Sequence, residues 1–348
     1  MRKILYLVVG TVALLIAAYK IIDYKFSAPA YSGQVSDHFD GKHFHNIAPA
    51  EPKGFLSVLK WRLTKGDGPW REWVNARPGP APEKRISKNG IRITFVNHTT
   101  VLIQIDDPNI LTDPIWSERA SPVSWAGPRR VRPPGIRYED LPPIDAVVVS
   151  HNHYDHLDIA TLKKLSTDHH PKIFAGLGNV LLMKENGITN TKELDWWQSV
   201  ELSNNVSLNC VPAQHWSGRG FSDRMTNLWC GYVFKGTAGT IYFAGDTGSG
   251  PHFKMIAERY GPVDVALLPI GAFRPRWFMQ SSPLSPSDAI QAHEILRAKQ
   301  SIAIHYGTFN LGDDGETEPT DLLKQEIKKS GDAFHILDFG ESLNLTTP

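Results

Sequence analysis

The passage from Asp145 to Asp158 constrains this chain more than any other. Asp145-Ala146-Val147-Val148-Val149 is a β-branched apolar run that reads as a buried strand. Ser150-His151-Asn152-His153-Tyr154-Asp155-His156 follows it directly. Three imidazoles and a carboxylate within six residues form a nitrogen and oxygen donor set that suits zinc. A solvated surface turn has no reason to repeat histidine at i, i+2 and i+5, with aspartate at i+4, directly after a buried strand.

Three more residues extend the set. His215 lies in Val211-Pro212-Ala213-Gln214-His215-Trp216. Asp246 follows Ile241-Tyr242-Phe243-Ala244-Gly245, and His305 closes Ser301-Ile302-Ala303-Ile304. Each alone is an ordinary residue at the end of an apolar run. Together they give five histidines and two aspartates, enough for two metals sharing a bridging carboxylate.

Composition narrows the partners. The 348 residues allow one large domain plus extensions, and a net charge of +1 implies no strong field for polyanions. No nucleic-acid partner is expected, although charge alone does not exclude one. Cys210 and Cys230 are the only cysteines, too few for a disulfide framework, and whether they pair stays open.

The pattern H-x-H-x-D-H, followed by a distant His, Asp and His, resembles the metallo-β-lactamase superfamily. Within it, the chain is most similar to the branch of N-acyl-phosphatidylethanolamine-hydrolysing phospholipases D. The segments that carry this include Leu111-Thr112-Asp113-Pro114-Ile115, Arg119-Ala120-Ser121-Pro122 and Leu141-Pro142-Pro143-Ile144. Glu193-Leu194-Asp195-Trp196-Trp197, Pro269-Ile270-Gly271-Ala272 and Pro275-Arg276-Trp277-Phe278-Met279 continue it. The metal motif alone indicates only the superfamily. The tryptophan-rich and proline-rich segments, which metal binding does not need, carry the narrower likeness.

The resemblance implies an α+β fold, the αβ/βα sandwich: two mixed β-sheets face to face, helices outside, metals at one edge. By residue-to-residue match, His151, His153 and His215 would hold one zinc, and Asp155, His156 and His305 the other. Asp246 would bridge them, giving two Zn2+ per chain. Asp155, Asp246 and His305 would be the catalytic set around a metal-bridging hydroxide that attacks a phosphodiester. Diiron relatives place a glutamate where this chain has His153, so an imidazole there favours zinc hydrolysis.

The implied activity is hydrolysis of N-acyl-phosphatidylethanolamine to phosphatidic acid and an N-acylethanolamine. Arg119, Arg129 and Arg130, in a loop rich in proline and arginine, are candidate phosphate contacts. Trp216, Trp277 and Phe278 are candidates for an acyl groove. Ordinary surface charge and packing are the competing readings for all six. His98 is a candidate for a supporting role, in Asn97-His98-Thr99 where the family usually has Gly-His-Ala. Another dizinc hydrolase, such as a lactonase, β-lactamase or nuclease, is the alternative. A non-catalytic envelope protein fits less well, because a structural zinc needs only four ligands. The family also makes a homodimer plausible.

Three regions are expected. Residues 1–25 read as a membrane anchor, with a cleaved signal peptide as the rival. The sixteen uncharged residues Ile4 to Tyr19 fall short of the ~20 of a full span, so the anchor needs Lys20 to snorkel. It would be a single-pass transmembrane helix holding the catalytic domain on the non-cytoplasmic side, next to a phospholipid substrate. Residues 26–88 read as a linker packing on the core, and residues 89–348 as the catalytic domain. Ile91 to Ile105 suggests two strands, and Ser285-Pro286-Ser287-Asp288 a capped helix start. His252, His293 and His335 are expected to be structural.

Overall fold

Side chains of a strand alternate between its two faces, and this chain uses both. The run read as a buried strand shows it: Ala146 and Val148 join one hydrophobic cluster, Val147 and Val149 another. All four are 2% exposed or less, which is why the segment is apolar throughout rather than alternating. The computed structural model describes residues 2–49, 54–66, 68–86, 89–279, 283–331 and 333–346. The expected boundary at residue 88 falls outside them.

Two seven-stranded mixed sheets form the body. The first comprises β1 (Gly90–Asn97), β2 (Thr100–Ile105), β3 (Asn109–Thr112), β4 (Ala146–Val149), β5 (Lys172–Gly176) and β6 (Thr191–Leu194). The second comprises β7 (Ser199–Ser203), β8 (Val206–Val211), β9 (Gly231–Gly236), β10 (Gly239–Phe243), β11 (Val265–Pro269), β12 (Gln300–Ile304) and β13 (Phe334–His335). The chain then returns: β14 (Ser342–Thr346) pairs antiparallel with β1, from Gly90 opposite Thr346 to Thr94 opposite Ser342. The order in the first sheet is therefore β14-β1-β2-β3-β4-β5-β6.

One apolar layer lies between the sheets. It joins Ile91, Ile93, Phe95, Ile103 and Ile105 to Leu208, Tyr232, Phe234, Ile241 and Phe243. The sheets are also tied directly: Tyr232 Oη donates to the carbonyl of Val149 at 3.0 Å, and Cys230 N–H to that of Ser150 at 2.9 Å. Cys210 and Cys230 are free thiols buried in this layer.

Eight α-helices occur among the described residues: α1 (Arg2–Phe26), α2 (Phe55–Thr64), α3 (Ile159–Asp168), α4 (Asn179–Glu185), α5 (His252–Tyr260), α6 (Arg276–Met279), α7 (Pro286–Leu296) and α8 (Glu318–Ser330). Leu162 and Leu165 of α3 and Met183 of α4 cover the outer face of the first sheet, against Val147, Val149 and Ile173. Phe253 and Ile256 of α5 and Ala289, Ala292 and Leu296 of α7 pack against the second sheet within the main core. The helix start expected at Ser285 is a capping box: Ser285 Oγ accepts from Asp288 N–H, and the Asp288 carboxylate accepts from Ser285 N–H.

The transmembrane helix needs correction. α1 is helical where the anchor was expected, but no helix among the described residues is long and apolar enough to cross a membrane. The physical reason lies in its last two turns, where Lys20, Asp23 and Lys25 interrupt the apolar run. That end is tied to the turn at Phe221 and Ser222 instead. Asp23 Oδ1 accepts from the N–H groups of Phe221 (2.7 Å) and Ser222 (3.0 Å), and Tyr19 stacks on Phe221 at 5.1 Å. The single-pass localisation, and the non-cytoplasmic placement derived from it, fall with the span.

The segment after α1 runs along the domain. Phe39 and Phe44 are buried in the main core. His38 stacks on Trp196 at 4.4 Å, and its Nε2 lies 2.8 Å from Asp195 Oδ1.

Candidate metal centre

The ends of four strands converge at one edge of the two sheets. His151, His153, Asp155 and His156 follow β4 in the first sheet. His215, Asp246 and His305 follow β8, β10 and β12 in the second. Strand ends suit this task because the sheets fix their position while the turns free the side chains to point inward. Gly245, immediately before Asp246, has φ 59, and a Cβ there would sit 2.5 Å from Ser150 Cβ. Glycine alone permits both the left-handed turn and the contact between sheets. His98, Asp113 and His305 carry positive φ of 47, 35 and 63 without being glycine, a clustering of backbone strain typical of functional sites.

His151, His153 and His215 form one group. His153 Nδ1 lies 2.8 Å from His151 Nε2 and 3.3 Å from His215 Nε2. Burial holds all three below the ordinary imidazole pKa, His153 at about 4 and His151 and His215 well below the usual range. They are thus neutral and present lone pairs, the form a metal needs.

His98, Asp155, His156 and His305 form the second group, and Asp246 joins the two. Asp246 Oδ2 is 3.2 Å from His156 Nε2, 3.3 Å from His305 Nε2 and 3.7 Å from His215 Nε2. Asp155 Oδ2 is 3.2 Å from His156 Nε2 and 3.7 Å from His305 Nε2. Burial alone would raise both carboxyls, but the neighbouring imidazoles outweigh it and hold them well below the usual carboxylate range. Conversely, burial disfavours charge on His156 and His305, yet the two carboxylates hold both above the usual imidazole range, His305 at about 9. The carboxylates demand positive charge at this spot, and a divalent cation would satisfy the same demand.

The fit to a metal rests on the donors. His156 Nε2, His305 Nε2 and Asp246 Oδ1 are buried without a well-formed hydrogen bond among the described residues. Buried polar atoms in such number are costly unless a cation satisfies them. The opposite sides of two rings are already anchored. His151 Nδ1 meets Ser150 Oγ at 2.9 Å, and His156 Nδ1 meets Asp113 Oδ2 at 2.7 Å. A carboxylate behind an imidazole is the arrangement that orients metal-bound histidine.

All seven residues read from the sequence as ligands therefore meet in one cluster. Of the residues that support them, His98 is the one the sequence offers, and Asp113 is not. Asp113 also accepts from Ser150 N–H (2.7 Å) and Ser150 Oγ–H (2.6 Å). Its signal was present: an aspartate after the apolar run of β3, the same sign that exposed Asp246. His98 Nε2 lies 2.9 Å from Asp155 Oδ2, and burial holds His98 at about 3, so as a neutral ring it donates that hydrogen bond.

The six candidate substrate contacts divide. Trp216 stands at the centre, its ring 4.1 Å from that of His153. The arginines of the loop are engaged elsewhere. Arg119 donates to the carbonyls of Ser124 and Gly127, Arg129 to Glu118, and the buried Arg130 to the carbonyls of Ser117 and Ile115. Trp277 and Phe278 lie on α6 against α2, with Phe278 stacked on Trp61 at 4.9 Å and Lys60 over Trp277 at 4.8 Å. An arginine that the sequence did not single out stands nearer. The guanidinium of exposed Arg224 lies over the Trp216 ring at 4.0 Å, and among the described residues it has no ion pair. His252, His293 and His335 meet Thr247, Ser301 and Gln300.

The two facing mixed sheets and the His/Asp cluster at their edge define the class, a metal-dependent hydrolase. Residues 108–306 match the beta-lactamase superfamily domain. The chain is 42% identical over 271 residues to N-acyl-phosphatidylethanolamine-hydrolyzing phospholipase D 1 of Caenorhabditis elegans, covering 73% of this chain and 76% of that protein. It is 35% identical over 309 residues to an uncharacterized protein of Mycobacterium tuberculosis, covering 85% and 81%. Among solved structures, the isothiocyanate hydrolase from Delia radicum gut bacteria superposes with a TM-score of 0.60 at 21% identity, covering 74% of this chain and 100% of that one. The chain belongs to the metallo-β-lactamase superfamily.

Proposed function

We propose that this protein is a dizinc phosphodiesterase of phospholipase D type, hydrolysing N-acyl-phosphatidylethanolamine to phosphatidic acid and an N-acylethanolamine. The observation that carries the reading is the position of Asp246, whose Oδ2 lies within 3.7 Å of imidazoles from both groups. One carboxylate between two sets of donors is what a paired metal site requires. The likeness to the Caenorhabditis elegans phospholipase, which spans most of both chains, supports the substrate.

Two zinc ions, when bound, supply a nucleophile at neutral pH and charge to offset that of the phosphoryl oxygens. His151, His153 and His215 would hold one and Asp155, His156 and His305 the other, with Asp246 shared by the two groups. His98 fixes the Asp155 carboxylate, and Asp113 fixes the His156 ring. Arg224, held over Trp216 at the mouth of the first group, engages the phosphate by charge-assisted hydrogen bonds.

The test is direct. The full chain is assayed for metal content and for N-acylethanolamine release from N-acyl-phosphatidylethanolamine in detergent micelles, beside Asp155→Asn. About two zincs per chain, with release that the variant loses, support the reading. Two zincs without release would remove the lipid substrate while keeping the dizinc hydrolase.

A further inference from the structure

His215 arrives at the cluster on a short turn after β8, and a side chain from far along the sequence holds that turn. Asn46, 169 residues earlier, brackets the His215 backbone. Its Nδ2 donates to the His215 carbonyl at 2.8 Å, and its Oδ1 accepts from the His215 N–H at 2.9 Å. The same Oδ1 accepts from Trp229 Nε1 at 3.0 Å, so two donors fix which end of the amide is oxygen. The neighbouring Gln214 repeats the pattern, donating from Nε2 to the Ala48 carbonyl at 2.7 Å. On the other side, Gln214 N–H donates to Thr247 Oγ, and Gly248 N–H to the Gln214 carbonyl. The turn is therefore clamped between the segment that precedes the catalytic domain and the turn that carries Asp246.

We infer that Asn46 is a positioning residue for the metal centre, setting the direction of the His215 imidazole through its backbone. The inference rests on the reading of His215 as a ligand. Only a carboxamide of this length supplies a donor and an acceptor to one residue's carbonyl and N–H at once. Aspartate retains the acceptor half and loses the bond to the His215 carbonyl. Alanine loses all three bonds.

The experiment measures zinc affinity of the full chain by competition with a chromogenic chelator, without substrate. Asn46→Ala, Asn46→Asp, His215→Ala and His38→Gln are compared with wild type. His38→Gln loosens the same segment at Asp195, away from His215. The expected result is one binding step weakened roughly 10–100-fold in Asn46→Ala, less in Asn46→Asp, with the other step and His38→Gln unchanged. Should Asn46→Ala not fold, Asn46→Asp alone carries the comparison. Wild-type affinities in the Asn46 variants overturn the inference, as does equal weakening by His38→Gln, which would make the effect one of segment docking. Unchanged zinc binding in His215→Ala overturns the ligand reading as well. None of these outcomes depends on which substrate is cleaved.

Discussion

Asp113 and His156 form a closed pair beneath the metal centre, their side chains fully buried and 2.7 Å apart from Oδ2 to Nδ1. The carboxylate directs the His156 proton to Nδ1 and so leaves Nε2 to face Asp155 and Asp246.

Replacing Asp113 should therefore damage metal binding without touching a ligand. Asp113→Asn is expected to lower metal affinity about 10–100-fold while the chain stays folded. Asp113→Ala also strands the buried Ser150 hydroxyl and should cost about 1–3 kcal/mol of stability. Metal competition and thermal melting read the two effects separately, and unchanged affinity in Asp113→Asn would refute the role.

Removing metal should destabilise the fold, because residues of both sheets would hold it only when the sheets are joined. A ligand held at 1,000 times its Kd contributes about 4 kcal/mol. Chelation is expected to lower Tm by several degrees, with recovery on adding zinc. A Tm indifferent to chelator would argue against metal at this cluster.

The docking of the N-terminal segment should depend on pH through His38. Burial opposes its charge, but hydrogen bonds to Asp195 and Asp37 outweigh that and raise its pKa above the ordinary 6.5. Phe44 and Trp196, the rings packed on it, carry no charge. A raised pKa means the folded form binds the proton more tightly. The stabilisation is thus complete below about pH 6.5 and fades as pH rises through the raised value. Hydrogen exchange across residues 36–46 should be slower in wild type than in His38→Gln at pH 6, with the gap closing at high pH. A gap that does not change with pH would rule out the charged form as its cause.

Arg224 should act on substrate alone. Arg224→Ala is expected to lower kcat/KM roughly 10–100-fold on a phosphodiester, since a charge-assisted hydrogen bond is worth about 1.5–3 kcal/mol. Metal content should not change. Equal turnover by the variant would remove Arg224 from the site.

The legible part of the sequence was the part written locally. An apolar run ending in a polar residue marks all four strand ends of the cluster, because the run and the polar residue after it are neighbours in sequence. Val147 and Val149 could be read as buried, but not that α3 covers them, since the partner's direction is a property of the assembled sheet. The loop arginines misdirect for the same reason: carbonyl partners such as Ile115 and Ser117 leave no mark in composition, so a bonded guanidinium looks like a vacant one. Asn46 lies in a stretch without periodicity, and its partner is 169 residues away. α1 was read correctly as helix, and its apolar run was extended too far across Lys20.

The pairing of β14 with β1 sets an order of events during synthesis. Thr94 and Ser342, which share a hydroxyl hydrogen bond of 2.8 Å, are 248 residues apart. A nascent chain emerging from the ribosome exposes β1 as a bare edge until residues 342–346 are free to pair with it. Such an edge invites pairing with another chain. The first sheet therefore begins to form early and is closed late, and β1 stays open to a foreign strand until β14 reaches it.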